Sequence, residues 1–290
     1  MLSRFLFLCG PCRWLITCGL TAGNNVRIAL GIEYDGSSFC GWQTQPAGCA
    51  AQDKLEQALA RIAGGRVATI CAGRTDAGVH ALAQVVHFDT DAERPESAWV
   101  RGANALLPPA LVVTWARTVS EEFHARYSAL DRCYRYVLLN HAVRPAADRG
   151  KVGWFHLPLA LDRMREAAQL LLGEHDFSAF RSAECQARSP VRELRRLAIE
   201  RSGDYVIFEL CANAFLHHMV RNIIGCLVYV GKGKYPPQWL GGVLAGRDRA
   251  QAAPTFDAAG LYLARVEYGP QWELPAPRAE LPRLAHLAGV

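Results

Sequence analysis

The stretch "CAGRTDAGVHA", residues 71–81, follows directly on the apolar run "RVATIC" and sets Arg74, Thr75 and Asp76 between Gly73 and Gly78. A plain reversal between two strands needs only one or two turn residues. Here a cation, an anion and an imidazole (Arg74, Asp76 and His80) share one short loop. The chemistry of Asp76 leaves two readings open. Its side chain can bond its own backbone two residues on, as aspartates do in turns, or the loop can hold a carboxylate out for reaction.

Upstream of the loop, "VRIALGIEYDG" alternates as a strand and turns at Asp35-Gly36. "AAQDKLEQALARIAGG" spaces Leu55, Ala58, Leu59 and Ile62 as one face of a helix that stops at Gly64-Gly65. "RVATIC" reads as a strand before the loop and "ALAQVVHFDT" as one after it. A helix in "PESAWVRGANALLPP", opened by a proline, and a strand in "LVVTWARTVS" complete a first unit, residues 26–122. A second unit, residues 123–270, repeats the rhythm. "CYRYVLLN" is a strand with Tyr134 and Tyr136 on one face and Arg135 on the other. "LALDRMREAAQLLLGEHDF" reads as a helix ended by Gly173. Two strands follow, "ELRRLAIERSG" and "YVIFELCANAF"; then a helix in "LHHMVRNIIGCLVYVGKG" with Met219, Val220, Ile223, Ile224, Leu227 and Val228 inward. A short helix after Pro236-Pro237 and the strand "GLYLARVEY" close the unit, leaving residues 271–290 as a tail. The order is not the steady alternation of a doubly wound sheet. It predicts an α+β fold of two similar halves, with mainly antiparallel sheets flanked by helices, packed to form a cleft.

The chain has 290 residues, 32 basic against 27 acidic, for a net charge of +5. That balance permits an anionic partner without demanding one. Ten cysteines stand at irregular spacings, and only Cys9 and Cys12 form a C-x-x-C pair. With no second pair to complete a zinc site, the chain reads as reduced and cytoplasmic, with Cys71, Cys133, Cys211 and Cys226 as free thiols in apolar stretches. Residues 1–25 read as a disordered leader: Gly10-Pro11 and Arg13 interrupt the apolar run, which is too short and too charged for a membrane span.

Several chemistries find no support. No G-x-G-x-x-G follows a strand and no G-x-S-x-G elbow occurs. "GCLVYVGKGK" is one residue too long for a phosphate loop and lacks its Ser or Thr. A metal set built from Asp76 and His80, with His87, Asp89 and Asp91 downstream, fits poorly, because strand alternation separates the later residues. A metal-dependent nuclease using Asp76 and His80, and a catalytically silent RNA-binding protein, are the competing functional readings.

The string "GRTDAGVHA", residues 73–81, resembles the catalytic loop of the tRNA pseudouridine synthase A family. The likeness runs from Val26 through "YDGSSFCGWQ", "FHARYSA", "YRY", "DFSAF", "HHMVRNIIG" and "GLYL", in that order. It implies a pseudouridine synthase fold with a basic central cleft. It implies isomerisation of uridine to pseudouridine at about positions 38, 39 and 40 of the tRNA anticodon stem-loop, where the base must first be swung out of the stack. Asp76 would be the catalytic carboxylate, either attacking the ribose C1′ or removing a ribose proton. Arg74 would fill the space left by the flipped base, Tyr134 would lie against the uracil, Arg221 would pair with Asp76, and Leu261 would pack on the base. RNA would be gripped by Phe123, His124, Ala125, Arg126 and Tyr127, which interleave cations with aromatics, and by Glu184, Cys185, Gln186, Ala187 and Arg188. The resemblance also implies a homodimer, tRNA as partner, and no cofactor or metal.

Overall fold

In a computed structural model, residues 25–276 are described, so the leader's first 24 residues and residues 277–290 lie outside the described chain. The first half comprises β1 (Val26–Tyr34), α1 (Ala51–Ala63), the short β2 (Ile70–Cys71), β3 (His80–Thr90), α2 (Glu96–Leu106) and β4 (Leu111–Val119). The second comprises β5 (Ala129–Asn140), β6 (Gly153–Phe155), α3 (Leu161–Gln169), β7 (Gly173–Asp176), β8 (Val191–Ser202), β9 (Tyr205–Ala212), α4 (Met219–Gly231), α5 (Gln238–Gly246) and β10 (Leu261–Tyr268).

All ten strands join one sheet in the order β4-β1-β3-β10-β5-β9-β8-β7, with β2 on β3 and β6 on β5. Neighbours are antiparallel except at β5–β6 and at the middle, where β10 runs parallel to β3 through Tyr262↔His80 and Leu263↔Ala81. β10, the last strand of the described residues, thus fastens the two halves. A two-residue parallel seam is possible because the chain returns from the far half, which no hairpin could do.

Strand parity decides the layers. On β5, Tyr134, Tyr136 and Leu138 enter the main core, while Val137 and Leu139 join a smaller cluster with Val152 and Tyr262 on the other face. Leu55 and Leu59 of α1, Trp99 and Ala103 of α2, and Ile223, Ile224, Leu227 and Val228 of α4 fill the main core.

Three expectations change. Of "RVATIC" only Ile70 and Cys71 pair with β3, because the Thr69 amide donates to Glu56 of α1 at 2.7 Å instead of to a strand. α3 ends at Gln169 rather than at Gly173: the amides of Leu170, Leu171 and Leu172 each reach back three residues, and Gly173, with φ 99°, opens β7. Finally, Cys133 and Cys211 are not free thiols. They stand directly opposite on β5 and β9, with Cα atoms 4.1 Å apart, and form a disulfide; Cys40 and Cys49 form another. Cys71, Cys185 and Cys226 are free. Among the described residues no helix is long and apolar enough to cross a membrane.

Candidate active site

Residues 72–79 lie between the short β2 and β3, and buried polar groups give the loop its shape. Gln84, wholly buried on β3, donates from Nε2 to the Gly73 carbonyl at 2.6 Å and accepts from the Gly73 amide at 3.4 Å. The hydroxyls of Thr75 and Tyr34 share a 2.7 Å bond, and the Thr75 carbonyl accepts from the Trp42 amide. The Val79 amide bonds the Asp76 carbonyl, and Gly78 takes the φ of 81° that this turn requires. "YDGSSFCGWQ" packs against this loop so closely that a Cβ on Gly36 would lie 2.0 Å from the Val79 carbonyl oxygen. Asp76 therefore does not spend its side chain on its own turn.

Instead the Asp76 carboxylate, 18% exposed, points to the start of α4. Arg221 donates from Nη1 to Oδ2 at 2.9 Å, and its Nε holds the Phe256 carbonyl, also at 2.9 Å. The Nε2 atoms of His217 and His218 lie 3.1 Å from Oδ1 and 3.3 Å from Oδ2. The positive end of the α4 dipole adds to this field. Asp76, His217 and His218 form the one group among the described residues with metal-ligand spacing. The Arg221 guanidinium and the helix terminus already set positive charge against this carboxylate.

Tyr134 is buried nearby, edge-on to Phe215 at 5.1 Å, with its hydroxyl 3.8 Å from where a Cβ on Gly73 would stand. Burial, and secondarily the charge of Asp76, push its phenol well above the ordinary tyrosine range. Leu261 is buried at the start of β10, opposite Tyr136. Arg74 is exposed and makes no hydrogen bond or ion pair to a described residue. The loop thus brings Asp76, Arg221 and Tyr134 together and leaves Arg74 facing outward.

His80, the other imidazole of the quoted stretch, belongs elsewhere. Its Nδ1 accepts from the Gly36 amide, its Nε2 faces the carbonyls of Gly150 and Ala259, and its ring stacks on Tyr262. Burial lowers its pKa, so it serves as a neutral brace between the halves. His87 bonds the Ala125 amide and Asp89 pairs with Arg27, which disperses the metal set weighed from sequence.

The expected RNA-gripping segments divide by burial. Phe123 and Ala125 lie wholly in the core, leaving Arg126 and the 76% exposed Tyr127 turned outward and His124 half-buried between. His124 stacks on Tyr127 at 4.3 Å. In the second segment Glu184, Gln186 and Arg188 are exposed, while Cys185 accepts from the His217 amide and Ala187 is half-buried. The basic run after it is neutralised in part: Arg195 pairs with Asp131 and Glu193, and Arg196 with Glu209.

Sequence reasoning missed four contributors. His217 and His218 stood in the quoted "HHMVRNIIG", where two adjacent histidines before an amphipathic helix were the signal. Gln84 was a polar residue set among apolar neighbours in a strand. Arg132, buried, donates to the carbonyls of Ala72, Ala129 and Asn213, tying the loop to the segment after Tyr127. Nothing in its neighbourhood in sequence distinguished it.

The sequence model of the family described as "tRNA pseudouridine synthase" matches residues 31–128 and 167–269. The chain belongs to this family, whose members are isomerases that convert uridine to pseudouridine in tRNA. It is 59% identical over 250 residues to the tRNA pseudouridine synthase A of Thiobacillus denitrificans, covering 86% of this chain and 96% of that one. The enzyme of the same name from Nitrosomonas eutropha is 57% identical over 250 residues, covering 86% and 90%. That from Paraburkholderia phymatum is 56% identical over 253 residues, covering 87% and 95%.

Proposed function

We propose that the chain isomerises uridines at about positions 38 to 40 of the tRNA anticodon stem-loop, with Asp76 as nucleophile on a base flipped out of its stack. Asp76 attacks C1′ as the bond to N1 breaks; the freed uracil turns and C5 bonds to C1′, expelling the carboxylate. C5 then loses its proton and N1 gains one, so no oxidant, nucleotide or net proton is consumed. The observation that carries this reading is the Asp76 carboxylate, bonded by Arg221 at 2.9 Å beside the buried Tyr134. Tyr134 and Leu261 flank the uracil, and Arg74 occupies the vacated place in the stack. His124, Arg126, Tyr127 and the exposed residues of Glu184–Arg188 hold the RNA backbone. The homodimer and cytoplasmic setting expected for the chain belong to the same reading.

The test is to incubate the protein with unmodified tRNA, adding neither metal nor nucleotide, and to analyse and map the nucleosides. Pseudouridine within the anticodon stem-loop is expected; strand cleavage, or binding without a new nucleoside, would overturn the reading. Deuterium at C2′ of the target uridine separates the chemical paths. A primary isotope effect would point to removal of a ribose proton instead of attack at C1′.

A further inference from the structure

We infer that His218, with His217 beside it, is a positioning residue that holds the Asp76 carboxylate for reaction, and that the chain accepts a strained helix start to place it. The inference rests on the reading of Asp76 as the reacting group. Three non-glycine residues among those described have positive φ: His218, Arg247 and Glu273. Arg247 and Glu273 are helix C-caps, where the left-handed conformation is an ordinary way to stop. His218 is the N-cap of α4, at φ 64° and ψ 1°, where the backbone is normally extended.

The helix gains nothing locally from this histidine. Its side chain makes no capping bond to the first turn. Glycine would reach the same backbone angles without steric cost, and Ser, Thr, Asp or Asn would cap the helix. The left-handed turn does, however, bring the imidazole within 3.3 Å of Asp76 Oδ2, against the ring of His217 at 4.0 Å between centroids. His217 is itself tied down: its amide donates to Cys185 Sγ and its carbonyl accepts from Ser182. Burial lowers the pKa of His218 despite the opposing pull of Asp76 and Glu184, with His217 and Arg221 adding to the lowering. The ring therefore braces the carboxylate as a neutral group. Among the described residues, Oδ2 faces both His218 and Arg221, whereas Oδ1 faces His217 alone, which marks Oδ1 as the less encumbered, reacting oxygen.

The experiment compares the full chain with His218→Gly, His218→Asn, His217→Ala and His217→Gln, measuring melting temperature, tRNA affinity and single-turnover rate. Wild type is run first on unmodified tRNA, so a failure to form pseudouridine condemns the functional reading before any variant is compared. His218→Gly should melt at or above the wild-type temperature and bind tRNA as wild type does, yet react roughly 10- to 100-fold more slowly, the scale for a misplaced reacting group. His218→Asn, which tolerates the backbone but is too short, should show the same split. His217→Gln, whose amide nitrogen can stand near the Nε2 position, should recover much of the rate lost in His217→Ala. A wild-type rate in His218→Gly overturns the inference. So does a lowered melting temperature that accounts for the lost rate, since His218 would then serve the fold.

Discussion

Arg221 and Asp76 stand 145 residues apart in the chain and meet at 2.9 Å, Nη1 to Oδ2. One belongs to the first turn of α4 and the other to the loop before β3, so their meeting reports on how the two halves are docked. Arg221 has a second bond, from Nε to the Phe256 carbonyl, which fixes the guanidinium plane.

This pairing makes two substitutions informative. Asp76→Asn keeps the shape and removes the charge, so turnover should vanish while tRNA binding largely persists. Arg221→Lys keeps the charge but cannot make both bonds from one planar fork. It should bind tRNA normally and react far more slowly. Single-turnover rates beside affinities check both, and near wild-type turnover in Asp76→Asn would remove Asp76 from the chemistry.

The arginines facing outward should fail in different ways. Phosphate contacts release counterions, so Arg126→Ala or Arg188→Ala should weaken tRNA binding and lower the salt slope by roughly one unit each. Arg74 makes no hydrogen bond or ion pair to a described residue, which leaves its guanidinium available to the opened stack. Arg74→Ala should damage turnover more than affinity, and Arg74→Lys should rescue poorly. A salt series of affinities and single-turnover rates separates the roles; wild-type behaviour in Arg74→Lys would reduce Arg74 to one more phosphate contact.

Gln84 offers a test of the loop's support. Gln84→Leu would leave the Gly73 amide and carbonyl without their partner, a loss of about 1–3 kcal/mol for a buried polar group. Chemical denaturation should register that loss, and the reaction rate should fall with it because Asp76 is three residues on. Unchanged stability would show that Gly73 finds other partners.

Acid should weaken the fold through His87. It is buried, its Nδ1 accepts from the Ala125 amide, and burial, helped by the Arg27 charge, lowers its pKa to about 4. The unfolded chain takes up this proton near pH 6.5, before the folded one does, so stability present above that pH is lost as pH falls toward 4. The loss amounts to as much as about 3 kcal/mol from a shift of this size. His87→Asn, which keeps an acceptor without a proton to gain, should flatten the decline between pH 6.5 and 4. Denaturation at several pH values checks it; an unchanged slope would assign the acid sensitivity elsewhere, with the buried His80 the next group to examine.

Much of this protein was legible in one dimension. Leu55, Ala58, Leu59 and Gly64 set α1, and the inward positions of α4 were all found buried, because a helix or strand with one apolar face has little choice about which side it buries. The loop around Asp76 declared itself by spending charge where a turn needs none. What the chain alone left open depends on partners distant in sequence. Thr69 turned from strand to loop because Glu56 took its amide, and Cys133 met Cys211 because the register of β5 and β9 set them opposite. His80 became a brace rather than a ligand, and Phe123 and Ala125 became core rather than rim, once β10 closed against β3 and the core packed around them. His217 and His218 acquired their place at Asp76 only through the left-handed start of α4. Periodicity records which side of an element avoids water; it carries no record of which element waits on that side, and that is settled only when the halves dock.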